Sequence, residues 1–109
     1  MRSIGKCAFA GAALEEFDVP QKCTELAERA FWKCTKLVRV KLNSGLQTIG
    51  SQCFSWCRIA QLFVPNSVAR IEAGAFSDCR ALRSVTFQPG GSAVVDDSAF
   101  SGTGVEHAE

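Results

Sequence analysis

The sequence predicts an α/β solenoid in which short coils stack on one another and share a single apolar core. Two observations predict this fold class: phenylalanine recurs at a nearly constant interval, and a second apolar pattern recurs between the phenylalanines. Each coil is expected to contribute a short parallel strand to one face and short helical turns to the opposite face. With 109 residues, 47% of them hydrophobic, the chain can form one small domain with a continuous core.

The first pattern is the recurrence of phenylalanine in similar surroundings. A small residue precedes each ring, and a cysteine follows three residues after each of the three central rings. Apolar residues at this spacing favour one or two short turns of helix. Intervals of 22, 23, 22 and 24 residues separate the five rings, which are Phe9, Phe31, Phe54, Phe76 and Phe100.

The second pattern is an alternation of apolar residues, for example Leu37-x-x-Val40-x-Leu42 and Leu82-x-x-Val85-x-Phe87. Alternation predicts a short strand whose outer members point into the core, and the L-x-x-L-x-L arrangement is typical of leucine-rich repeats. Stacked coils place equivalent side chains over one another. The first and third repeats are one residue shorter between the phenylalanine and the strand. We expect a turn to absorb that difference so that the register survives.

The repeats predict a single domain over residues 1–109, with about four and a half coils. The first coil begins without a polar capping segment, whereas solenoids need capped ends for solubility. We therefore expect either further repeats in a longer chain, or a partner or second copy over the first coil. The polar tail 105–109 is expected to act as a modest cap. The repeats are predicted at 4–25, 26–48, 49–70 and 71–94, with a partial one at 95–109.

The combined pattern Ile-Gly-x-x-Ala-Phe-x-x-Cys-x-x-Leu-x-x-Val-x-Leu-Pro resembles the BspA-type leucine-rich repeats over nearly the whole chain. Ile49-Gly50 matches the Ile-Gly step and Val64-Pro65 the Leu-Pro step. Asn43 and Gln88 depart from the pattern, because proline is usual at both positions. The resemblance implies protein binding or cell adhesion by a surface or secreted protein. It brings no catalytic residues with it.

Six cysteines leave three interpretations open. Their repeat positions favour buried free thiols that act as small hydrophobic groups, with Cys34, Cys57 and Cys79 forming an inward column. Disulfides are the second interpretation, although side chains that run parallel in a column fit the bond torsion poorly. A metal site is the third, but the Cys53–Cys57 spacing lacks the second ligand pair of a zinc site. Cys7 is expected to face solvent.

The candidate binding surface consists of the outward residues of the predicted strands, since solenoids commonly bind partners on this face. Phe63 is either an apolar anchor for a partner or an ordinary exposed ring. The acidic residues of the first strand are expected to pair with the basic residues of the second. Trp32 and Trp56 share another face, where packing over the turn is expected. The predicted partner-binding residues are Glu16, Asp18, Arg39, Lys41, Gln61, Phe63, Ser84 and Thr86.

These features predict a protein-interaction or adhesion module, with a structural spacer in a larger multi-repeat protein as the alternative. An enzyme is not expected, because the chain has no tyrosine, a single histidine (His107) and no nucleophile–base pair. We expect no cofactor and no metal. The net charge of +1 does not favour nucleic acid, and no apolar run is long enough to span a membrane. The beginning of the chain does not resemble a signal peptide, so the compartment stays open.

Overall fold

A computed structural model describes residues 2–105 of the chain. Nine short strands follow one another, and every pairing between them is parallel. The predicted cap at 105–109 and His107 lie outside the described residues, apart from Val105. The strands are β1 (Ser3–Ile4), β2 (Glu16–Asp18), β3 (Glu25–Leu26), β4 (Arg39–Lys41), β5 (Thr48–Ile49), β6 (Gln61–Val64), β7 (Arg70–Ile71), β8 (Ser84–Phe87) and β9 (Val94–Val95).

The odd-numbered strands form a continuous five-stranded sheet along one side of the solenoid, in the order β1-β3-β5-β7-β9. The second residue of each strand points into the core and is aligned with its counterpart in the next coil, as Leu26 is with Ile49. The sequence pattern predicts only one strand for each coil, so this second sheet was not expected. A strand of two residues is too short to produce a recognisable alternation.

The even-numbered strands form the predicted strand face, which is divided into two separate pairs. β2 pairs with β4, placing Phe17 beside Val40, and β6 pairs with β8, placing Leu62 beside Val85. Within the described residues β4 and β6 are not paired. The connection from Cys57 to Leu62 is one residue shorter than that from Cys34 to Val40. The same difference in length exists within each pair, where the register survives as expected, so it does not by itself explain the missing pairing.

The predicted helical turns are wrong: no helix occurs within residues 2–105, and hence none there is long and apolar enough to cross a membrane. The segments around the phenylalanines are successive turns in which amide partners alternate. In the first coil, Ala8 N donates to Gly5 O of the same coil, whereas Phe9 N donates to Ala30 O of the next coil. An α-helix would need every amide for its own i→i−4 bonds. The fold is therefore a parallel-strand β-solenoid rather than an α/β one.

The alternating turns require a left-handed backbone at two positions in a coil, one before and one after the small-Phe pair. Glycine meets this requirement at Gly11, Gly74 and Gly102, with φ between 65° and 75°. Non-glycine residues occupy the same two positions elsewhere, and such residues pay a steric cost there. They are Cys7, Arg29, Lys33, Gln52, Trp56 and Asp78.

The core is a single column of aromatic rings surrounded by aliphatic and sulfur-bearing side chains. The predicted alignment of the five phenylalanines is confirmed. Successive ring centroids lie 5.3, 4.9, 5.1 and 5.4 Å apart, and the last three pairs are nearly parallel. Phe31, Phe54 and Phe76 are fully buried, and Phe17 tilts against Phe9 and Phe31.

Replacing a central ring should strongly destabilise the fold. We expect Phe54→Ala to lower the free energy of unfolding by about 3–5 kcal/mol, because it leaves a cavity between two stacked rings. The matched control is Phe63→Ala, which removes a ring that is 51% exposed and should cost less than about 1 kcal/mol. Urea unfolding followed by circular dichroism measures both. Equal losses would contradict the buried stack.

Gly50 and Gly5 occupy the same repeat position in different surroundings. A Cβ at Gly50 would lie 2.7 Å from Leu26 O and Ala27 C of the preceding coil, whereas a Cβ at Gly5 would meet nothing within 4 Å. We expect Gly50→Ala to reduce the unfolding free energy by about 1–3 kcal/mol through overpacking, and Gly5→Ala to change it little. The comparison is again made by urea unfolding. A neutral Gly50→Ala variant would show that the coils are not in close contact there.

Candidate functional site

The strand face carries all eight predicted binding residues, and every one of them is exposed. They form two rows across the strands, because the strands pair in register. Such rows provide a continuous surface only where neighbouring coils are held together. The first row is Glu16, Arg39, Gln61 and Ser84, and the second is Asp18, Lys41, Phe63 and Thr86.

The charges on this face pair in one row only. Arg39 Nη1 lies 3.3 Å from Glu16 Oε2, which confirms the predicted pairing for these two residues. Both side chains are well exposed, so their ion pair contributes little to stability. Asp18 and Lys41 are aligned in register, yet Lys41 forms no ion pair within the described residues. The ammonium group of Lys41 therefore remains available to a ligand.

A groove lies between the second and third coils, beside the break between β4 and β6. Its volume is about 510 Å³, within the range of about 300–1,000 Å³ for ligand-binding clefts. The groove brings together three of the predicted residues, Arg39, Lys41 and Phe63, and it excludes the other five. It is lined by Gln21, Arg39, Val40, Lys41, Leu42, Asn43, Ser44, Phe63, Pro65 and Gln88.

Asn43 is one of the seven groove residues that were not predicted from the sequence. Its side chain is 4% exposed, and its Nδ2 donates to Cys23 O at 2.8 Å and to Gln21 O at 3.0 Å. Its Oδ1 is the one buried side-chain oxygen or nitrogen within residues 2–105 that has no hydrogen-bond partner. An unsatisfied buried acceptor typically costs about 1–3 kcal/mol. The available signal was the amide itself, at a position where proline is usual.

The predicted cysteine column is confirmed, and its thiols are free and buried. Cys34, Cys57 and Cys79 are buried, and each Sγ donates to the carbonyl of a phenylalanine one coil earlier, at 3.1, 3.4 and 2.9 Å. Burial raises the pKa of all three thiols, that of Cys79 to about 12. Burial also raises the pKa of Cys53. Within residues 2–105, no three His, Cys, Asp or Glu side chains cluster as metal ligands would.

The tryptophans lie on the turn side, away from the groove, where cations cover their rings. Lys33 Nζ lies 4.6 Å from the Trp32 ring centroid and Arg29 Cζ lies 5.2 Å from it. Arg80 Cζ lies 5.2 Å from the Trp56 centroid. Cation–π contacts of this kind contribute about 0.5–1 kcal/mol at exposed sites.

Stacked parallel coils with an outward strand face define a leucine-rich-repeat solenoid. The BspA type Leucine rich repeat region matches residues 2–109 in six copies, so this chain belongs to that family. Members of the family are generally non-enzymatic repeat scaffolds. No curated protein is significantly similar to the sequence.

Solved structures of bacterial proteins share this fold. The pneumococcal vaccine antigen PcpA superposes with a TM-score of 0.73 at 15% identity, covering 86% of this chain and 30% of that protein. A leucine rich cell surface protein from Faecalibacterium prausnitzii superposes with a TM-score of 0.60 at 23% identity. The match covers 94% of this chain and 35% of that protein. The T. pallidum Leucine Rich Repeat protein superposes with a TM-score of 0.56 at 31% identity. The match covers 76% of this chain and 50% of that protein. The chain thus spans about a third of the first two proteins.

The thiols should differ sharply in reactivity. We expect one thiol, that of exposed Cys7, to react rapidly with a disulfide reagent in the native protein at mildly alkaline pH. The five buried thiols should react only at the rate of unfolding. A Cys7→Ser variant should lose the rapid phase alone. Two or more rapid equivalents in the wild-type protein would contradict the buried column.

Proposed function

We propose that this chain is a protein-interaction module that binds its partner on the strand face, centred on the groove between β4 and β6. One observation carries the proposal: an exposed aromatic ring and two cations surround an apolar cleft on a sheet surface. Partner-binding energy commonly concentrates in aromatic and arginine side chains near the centre of an interface. Phe63 would act as the anchor and Lys41 as the charged contact.

The rigidity of the face supports the same proposal. Arg39 and Lys41 are held by pairing with β2, and Phe63 by pairing with β8. A binding surface built on paired strands loses little conformational entropy on association, so its contacts translate more fully into affinity. Adhesion is the finer form of this function. The Faecalibacterium protein, a cell surface protein of the same fold, supports it.

A structural spacer is the second candidate function. The observation that favours it is regularity: the amides of the turn segments bond from coil to coil throughout the described residues. The chain also spans only 30–50% of the three similar structures. A spacer would hold other domains apart and would need no groove.

Replacing the two central groove residues should separate these functions. We expect Lys41→Ala with Phe63→Ala to weaken binding of a native protein partner by about tenfold or more, because the variant loses the anchor and the charge together. Surface plasmon resonance with the purified partner measures the affinity. The matched control is Arg70→Ala with Val94→Ala, which removes one cation and one exposed apolar side chain from the opposite sheet.

Circular dichroism and thermal unfolding establish that both double variants keep the fold. If the groove variant binds as well as the wild type, the strand face is not the binding surface. If the control variant is weakened equally, the partner contacts the opposite sheet. If the partner binds through other domains and neither double variant changes its affinity, the spacer function is favoured.

A further inference from the structure

We infer that the groove between β4 and β6 binds a short peptide segment that carries an apolar side chain next to a carboxylate. This inference rests on the proposed protein-binding function and names the chemistry of the ligand. Two separate features of the groove, namely one sign of charge and an apolar wall, specify the two parts of the ligand.

The charge of the groove specifies a carboxylate. Arg39 and Lys41 are its only charged lining residues, and no Asp or Glu lines it. Arg39 already contacts Glu16, whereas Lys41 has no ion-pair partner within the described residues. A carboxylate of the ligand that reaches Lys41 would complete a charge pair at the wall of an apolar cleft, where solvent screens it less than on an open surface.

The apolar wall specifies the remaining side chain. Phe63 is 51% exposed, and Val40, Leu42 and Pro65 line the groove beside it. An apolar side chain of the ligand would cover the Phe63 ring and remove both surfaces from water. A sulfated sugar would satisfy the cations but would leave the ring and the apolar lining without a partner. The combination therefore favours a peptide over an anionic polysaccharide.

A displayed library of random short peptides, selected on the whole chain, tests the ligand chemistry. Enriched sequences should carry Leu, Ile or Phe within two positions of Asp or Glu. For the enriched peptide, Lys41→Met and Phe63→Ala should each reduce affinity by about tenfold, measured by fluorescence anisotropy. Arg70→Ala, on the opposite sheet, should leave affinity unchanged. Enrichment of basic or purely polar peptides, or no enrichment, would overturn the inference.

Changes in the peptide test the contacts without risk to the fold of the protein. Exchanging the peptide carboxylate for an amide should lower the affinity for the wild type by about tenfold. The same exchange should have little effect on the affinity for the Lys41→Met variant, which has already lost the charge. Equal weakening on the wild type and on Lys41→Met, or no weakening on either, would show that the peptide carboxylate does not contact Lys41.

The outcomes distinguish this inference from the broader function. If the Lys41 and Phe63 double variant loses a native protein partner while no peptide is enriched, the strand face binds a folded surface and the peptide inference fails alone. If peptides bind the groove while that double variant retains its native partner, the groove site stands and the proposed interaction surface fails. A sulfated disaccharide that displaces the enriched peptide and depends on Lys41 but not on Phe63 would overturn the peptide in favour of an anionic sugar.

Discussion

The stacking of the five phenylalanine rings requires every coil to rise by nearly the same distance as its neighbours. Parallel strands lie about 4.8 Å apart, and the ring centroids lie 4.9–5.4 Å apart, so backbone bonding and ring stacking impose one common rise. Neither side of the coil can spread without separating the rings in the middle. The core and both sheets therefore support one another, and differences in coil length must be absorbed at the periphery.

The same rise explains why the turn side contains no helix within the described residues. Packed helices need axes about 8–10 Å apart, almost twice the spacing of these coils. The spacing of the small residue, phenylalanine and cysteine fits an α-helix, but it fits successive turns equally well. Only turns leave alternate amides, such as those of Phe31 and Phe54, free to bond to the next coil. Glycine at Gly11, Gly74 and Gly102 was the sequence signal, since an interior helix position rarely favours glycine.

Features that depend on side chains repeating from coil to coil could be predicted from the sequence. The aromatic column, the buried cysteines and the outward position of residues such as Lys41 and Phe63 all follow from periodicity, because equivalent positions share an environment. Features that depend on one coil differing from the next could not. The first coil is as short as the third, yet β2 pairs with β4 whereas β6 does not within the described residues. Coil length alone therefore does not determine where the strand face is interrupted, and packing in three dimensions decides it.

The candidate site lies where the strand face is interrupted. Within the described residues β4 and β6 are not paired, while the core beneath them continues through Phe31 and Phe54. The groove beside Phe63 lies at this interruption, and Asn43, two residues beyond β4, lines it. Regular stacking therefore supplies the stable support, and the interruption supplies the shape that a ligand can recognise.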